Sequence, residues 1–327
     1  MSKLMMKKLF CSMLVVLALT FPVAAQQPKV PKVGRLSPTS LASDGQREFL
    51  GRELGSLGYV DGKNIAIEYR YADNKLDRLP VLANELVSLK VDVILVVSTP
   101  AAIAAKNATK TIPIVFFNVG DPVDAGLVDS LARPGGNLTG LTNLAVELAG
   151  KRLELLKETI PKLSRVAVLW NPQNPASAQQ WKESHFPARE LGLQLYSMEI
   201  SNDDIHEGPF KEAIKARSAA LAVTQDALFV ANRKRIAELS IKNRLPVIYP
   251  RADFVESGGL MSYGADRAEP YKRIAVFVDK ILNGTKPADI PVEQPMKFEF
   301  VVNLQAAKQI GLTIPPNVLV RAGKVIR

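Results

Sequence analysis

Residues able to do chemistry recur in this sequence at one kind of place, just after short apolar runs that read as strands. Ser37-Pro38-Thr39 follows the first run, Ser98-Thr99-Pro100 the third, and Asn118-Val119-Gly120-Asp121 the fourth. In the second half the corresponding positions hold Asn171-Pro172, Thr224-Gln225-Asp226, Tyr249 and, after a further run, Tyr263. Ligands of open α/β sheets bind beyond the carboxyl ends of the strands. The candidate ligand-binding residues are therefore Ser37, Thr39, Ser98, Thr99, Gly120, Asp121, Asn171, Thr224, Gln225, Asp226, Tyr249 and Tyr263. Ser98-Thr99-Pro100 opening a helix offers free N–H groups and a helix dipole to an anion such as a carboxylate. The same residues equally make an N-cap with proline in the first turn. Asp121 and Asp226, expected on opposite halves, either face a ligand ammonium or act as turn former and helix cap.

The same inventory argues against catalysis. No Gly-x-Ser-x-Gly elbow, no phosphate loop ending in Gly-Lys-Ser/Thr and no Gly-x-Gly-x-x-Gly after a strand occurs. His185 and His206 lie in charged, surface-like stretches, and two His with one Cys cannot build a structural Cys/His zinc site. No catalytic residue, metal or cofactor is expected. A secreted hydrolase using Asp121 and Asp226 as a glycosidase-like carboxylate pair is the weaker alternative.

The elements that must position these residues alternate in type, as a parallel sheet covered by helices does in one dimension. Strands are expected at 32–36, 64–71, 91–97 and 113–119. A Pro- and Gly-rich stretch, 133–140, reads as crossover and turn. A helix at 147–159 opens a second copy of the grammar, with strands at 165–170, 193–199, 219–224 and 246–249. The charged stretch 151–158 of that helix reads as its wet face. A strand at 259–263 and a helix at 271–282 then return toward the first half. The expected division is a first lobe of 26–145 with 257–285 and a second of 146–256 with 286–327.

With 327 residues the chain is long enough for two such lobes. Lys3, Lys7 and Lys8, an apolar run from Leu9 to Leu19 and the small residues Val23-Ala24-Ala25 make a cleaved secretory signal over residues 1–25. Cleavage removes three lysines and no acids, leaving a net charge of +7 from +10. Those cations are scattered and aromatics are few, which does not describe a nucleic-acid binder.

Several motifs together carry a family resemblance: Thr99-Pro100-Ala101-Ala102, Ile112-Pro113-Ile114-Val115, Gly120-Asp121-Pro122-Val123, the stretch from Leu131 to Gly140, Lys151-Arg152-Leu153-Glu154-Leu155-Leu156, Asn303-Leu304-Gln305-Ala306-Ala307 and Gly311-Leu312-Thr313-Ile314-Pro315. The chain resembles the type I periplasmic substrate-binding proteins of ABC importers, in the family that includes tryptophan- and tyrosine-binding members. That resemblance implies an α/β fold of two Rossmann-like lobes with parallel sheets, joined by a multi-crossover hinge around a ligand cleft. It also implies a periplasmic monomer that hands a small molecule to an ABC permease in the inner membrane, or feeds a signalling receptor. It assigns Ser98 and Thr99 to an acidic ligand group, Asp121 to the cleft floor and Thr224-Gln225-Asp226 to the opposite lobe. Aromatic-binding members tend to have Thr-Asp-Asn-Thr where this chain has Thr224-Gln225-Asp226-Ala227. The ligand class implied is therefore an amino acid or small carboxylate generally.

Overall fold

The computed structural model describes residues 30–43, 47–266 and 268–327, so the signal segment expected at 1–25 lies outside the described residues. The first lobe follows the order β1 (Lys32–Ser37), α1 (Arg47–Ser56), β2 (Ala66–Tyr71), α2 (Leu79–Ser88), β3 (Val93–Val97), α3 (Thr99–Ala108), β4 (Ile114–Val119) and β5 (Leu138–Thr142). Its strands form one parallel sheet in the order β2-β1-β3-β4-β5. The unbroken apolar run Val93-Ile94-Leu95-Val96-Val97 is buried at every position, as expected of a parallel strand covered on both faces. The helix α2 buries Leu79, Leu82, Ala83 and Leu86, a spacing of three and four that keeps one stripe on the sheet.

The strand β5 falls inside and beyond the stretch read from sequence as crossover and turn. Leu138-Thr139-Gly140-Leu141-Thr142 lacks the β-branched apolar run that marks the other strands, and it carries a glycine that tertiary contact requires. A Cβ on Gly140 would stand 2.0 Å from the Phe116 carbonyl oxygen. The outer edge of β5 is covered by a later segment, with Thr142 N–H donating to Glu293 O (3.0 Å) and Glu293 N–H to Gly140 O (3.0 Å).

The second lobe contains α4 (Glu147–Thr159), β6 (Arg165–Trp170), α5 (Pro175–Glu183), α6 (His185–Glu190), β7 (Gln194–Glu199), α7 (Glu207–Lys215), β8 (Ala220–Val223), α8 (Ala227–Ala231), α9 (Arg233–Lys242), β9 (Val247–Tyr249), α10 (Ala252–Glu256) and β10 (Met261–Ala265). After α11 (Ala268–Leu282) come β11 (Phe298–Asn303), α12 (Leu304–Ile310), α13 (Pro316–Leu319) and β12 (Lys324–Ile326). The sheet order is β12-β11-β10-β9-β8-β6-β7, parallel except where β11 runs against β10.

The lobe boundary at 257 differs from the sequence-based expectation. The strand β10 pairs with β9 and β11 in the second sheet. The return to the first lobe begins only with α11, whose Ile274, Phe277, Val278 and Ile281 pack with Val33, Leu50, Leu54 and Val93. Ile290 and Val292 also join first-lobe clusters. The chain thus crosses between lobes three times, near 143–147, 266–268 and 294–297. Among the described residues no helix is long and apolar enough to cross a membrane.

Candidate functional site between the lobes

Two residues at neighbouring strand ends of the first lobe hold backbone conformations that L side chains avoid. Ser98, just after β3, has φ 84° and ψ 160°, and Asn118, the penultimate residue of β4, has φ 58°. Such conformations cost about 1–3 kcal/mol each and persist where function or packing over-determines them. Ser98 is only 5% exposed and its Oγ has no hydrogen-bond partner among the described residues. Ser98→Gly removes that strain, and we expect it to stabilise the unliganded protein by about 1 kcal/mol. A denaturant midpoint equal to or below that of the parent contradicts this.

Opposite these strand ends stands the second lobe, in direct contact. A Cβ on Gly120 would lie 3.2 Å from the Ala176 methyl in the first turn of α5. Gln179 Nε2 donates to Asp124 Oδ2 (3.1 Å), Asn74 Nδ2 to Asp203 Oδ2 (3.2 Å) and Gln225 Nε2 to Asn118 Oδ1 (3.5 Å). The lobes are therefore closed on one another, with chambers left between them.

One chamber is narrow, about 300 Å³ with the open solvent at its mouth included, and is lined by Ser98, Asn171, Asn174, Asp226 and Asn74. Asp226 is buried, yet its carboxylate serves its own lobe. Oδ1 accepts the Leu228 N–H (2.7 Å), capping α8, and Oδ2 accepts from Asn174 Nδ2 (2.8 Å). Burial raises the Asp226 carboxyl above its ordinary value, opposed by hydrogen bonds from Asn174, Leu228, Asn171 and Phe229. A raised folded-state pKa means the folded protein holds this proton more tightly than the unfolded chain, whose Asp titrates near about 3.9. Its contribution is thus fully present below the unfolded pKa and lost as pH rises through the folded one. We expect Asp226→Ala to cost about 1–2 kcal/mol at pH 7 through the lost cap. The gap to the parent should widen as pH is lowered toward about 4.5, just above the unfolded Asp value. Urea unfolding of both proteins at the two pH values checks this, and a gap that shrinks on acidification contradicts it.

A further chamber sits at the hinge and encloses about 540 Å³, the open solvent at its mouth included. Phe117, Asn118 and Thr142 from the first lobe and Gln225 and Arg251 from the second line it, along with crossover residues. Tyr271, on α11, forms an aromatic wall, stacked on Phe49 (centroids 5.4 Å apart) and tilted against Phe117 (5.0 Å). Burial works to lower the Arg251 pKa, but Asp253, paired with it (2.8 Å), and Tyr271 together hold it up. Arg152 lines the same chamber and is 3% exposed, so 151–158 is not simply a wet face. Burial pushes the Arg152 guanidinium down to about 10.

The other candidates divide sharply. Asn171 lines the narrow chamber, although its Oδ1 also accepts the Gln173 N–H (3.0 Å). Ser37 and Thr39 bond one another (2.9 Å) in a local turn beneath that chamber's Pro38. The Thr99 hydroxyl accepts the Gly120 N–H (3.3 Å), tying α3 to the end of β4. Asp121 is turn chemistry, its Oδ1 accepting the N–H groups of Val123 (2.9 Å) and Asp124 (3.0 Å). Thr224 bonds Ser177 Oγ (2.7 Å) and Leu169 O inside the second lobe. Tyr249 is core rather than cleft, 0% exposed and stacked on Phe254, because β9 ends with its ring turned into the lobe. Tyr263 packs against Phe298 and Phe300, again away from both chambers. Sequence reasoning missed Thr142, Arg152, Arg251 and Tyr271. A signal for Arg152 did exist, since positions 149, 155, 156 and 159, at helical spacing from it, are all buried. No group of three or more potential metal ligands occurs among the described residues.

The comparisons with known proteins fit this geometry. A protein from Clostridioides difficile described as a tyrosine-binding protein is 32% identical over 263 residues, 80% of this chain and 75% of that protein. The crystal structure of a conserved domain protein from Vibrio cholerae matches with a TM-score of 0.85 and 30% identity, over 91% of this chain and 100% of that one. An ABC domain from Streptococcus pneumonia in complex with L-Trp matches at 0.82 and 26%, over 90% and 99%. A ligand-free, open substrate-binding protein from Clostridium difficile is more similar in sequence, at 30% over 91% and 99%, but superposes less well, at 0.64. Of these three, the structure described as open superposes least well. The family model for ABC transporter substrate binding proteins matches residues 42–326, and the chain belongs to that family of solute-binding proteins, which are not enzymes.

Proposed function

We propose that this protein is the periplasmic solute-binding component of an ABC importer. It captures an amino acid or small carboxylate by closing two lobes over it and delivers it to a permease of the inner membrane, working as a monomer. The observation that carries this reading is the closed contact of Gly120 with Ala176 around chambers that hold buried charged groups and strained strand ends. A site built for catalysis would need an activated nucleophile or an acid–base pair within reach of a substrate. Here Asp121 and Asp226 are engaged as turn former and cap. The relatives' descriptions make L-tyrosine and L-tryptophan the first ligands to try.

Calorimetry with the twenty L-amino acids tests the reading. Saturable 1:1 binding of at least one, recovered chemically unchanged after long incubation, is the expected result. No binding by any of them overturns the amino-acid reading. The exported protein is expected to begin at Gln26, as read by intact mass, and retention of Cys11 in the exported form contradicts a cleaved signal.

A further inference from the structure

We propose that the ligand's carboxylate docks on Arg152 in the hinge-side chamber, with the Thr142 hydroxyl as second donor, and not on the start of α3. This rests on the amino-acid reading above and names the subsite for one of its charges. Arg152 Nη2 donates to Ala145 O (2.7 Å) and Nη1 to Tyr263 O (3.3 Å). Those bonds use two of the five N–H donors a guanidinium carries. Both acceptors are neutral carbonyls, and no carboxylate among the described residues forms an ion pair with it. A charge taken out of water without a counter-ion is strongly disfavoured unless something of opposite charge arrives.

Thr142 supplies the independent second observation. It lines the same chamber, is 6% exposed, and its Oγ1 has no hydrogen-bond partner among the described residues. It ends the last strand of the first lobe, while Arg152 stands on the first helix of the second, on either side of the 143–147 crossing. A carboxylate bridging the two ties the lobes together across the hinge, so binding and closure become one event.

The start of α3 is the poorer carboxylate site. The Thr99 hydroxyl already accepts a backbone N–H there. Ser98 faces the narrow chamber, whose described lining includes no cation and does include the buried Asp226. An anion placed in it meets a like charge.

The test screens the full chain by thermal shift against the twenty L-amino acids, then measures each binder and its carboxamide by calorimetry. The amide should bind more than about tenfold more weakly than the acid, the size of a hydrogen-bonded charge contact. Thr142→Val should weaken the acid by about fivefold, as loss of one hydroxyl donor does. Arg152→Lys should lose more than about tenfold on the acid, because a lysine cannot reproduce the fork. If Arg152→Lys does not fold, Thr142→Val and the amide comparison still decide. Equal binding of acid and amide, or Thr142→Val binding the acid like the parent, overturns the assignment. Absence of any binder defeats the amino-acid reading itself, and is distinct from binding that these changes leave untouched.

Discussion

Replacing Gly120 with valine will weaken ligand capture by more than tenfold while leaving the unliganded protein as stable as the parent. Gly120 sits in the turn after β4, where a Cβ alone would reach 3.2 Å from the Ala176 methyl and valine adds two further methyls. Its backbone does not lie in the left-handed region, so the substitution imposes no local strain. Overpacking of this kind costs about 1–3 kcal/mol, and the penalty falls only on the closed state because Ala176 belongs to the other lobe. At about 1.4 kcal/mol per decade, the upper half of that range gives the expected loss. Calorimetry with the amino acid that binds the parent, alongside thermal unfolding of the free protein, checks both halves. Parental affinity, or an equal loss of stability without ligand, contradicts the role of this contact in closure.

The largest effect on folding is expected from Gly264→Ala. The added Cβ would stand 1.9 Å from the Pro250 carbonyl oxygen and 3.0 Å from its carbon. These are backbone atoms of the segment leaving β9, which cannot rotate aside as a side chain does. Relief requires β10 and β9 to part at the wall that carries Pro250 and Arg251 into the hinge-side chamber. Such substitutions cost about 1–3 kcal/mol and more where backbone must move, so we expect a loss of at least about 3 kcal/mol in urea unfolding. A loss below about 1 kcal/mol, the size of an ordinary surface change, contradicts the close approach.

How legible the molecule is in its sequence depends on whether local pattern or distant contact decides each element. The runs at Val93 to Val97 and Arg165 to Trp170 announce strands because both faces of a parallel sheet need apolar residues. The strand Leu138–Thr142 stays hidden, because Gly140 is dictated by the Phe116 carbonyl and not by anything within its own segment. The site divides likewise. Ser98, Asn171, Gln225 and Asp226, singled out by the rule that strand ends face the cleft, line the chambers. The same rule misleads at Tyr249, where the residues one and two positions later, Pro250 and Arg251, line the chamber. Arg152 escapes it altogether. It reaches the hinge from a helix, among charged neighbours that read as solvated, and only its buried companions at helical spacing betray it.

The claim that this chain captures an amino acid by closing its lobes is tested most directly by the distance between them. Spin labels at Val81 on α2 and Phe186 on α6, both well exposed, report one lobe each. Cys11 is the chain's one native cysteine, so labelling the exported form is selective. Pulsed electron paramagnetic resonance should show a broad distance distribution without ligand. Saturating amino acid should collapse it onto the narrow separation of the closed structure. A distribution that the bound amino acid leaves unchanged would contradict capture by closure.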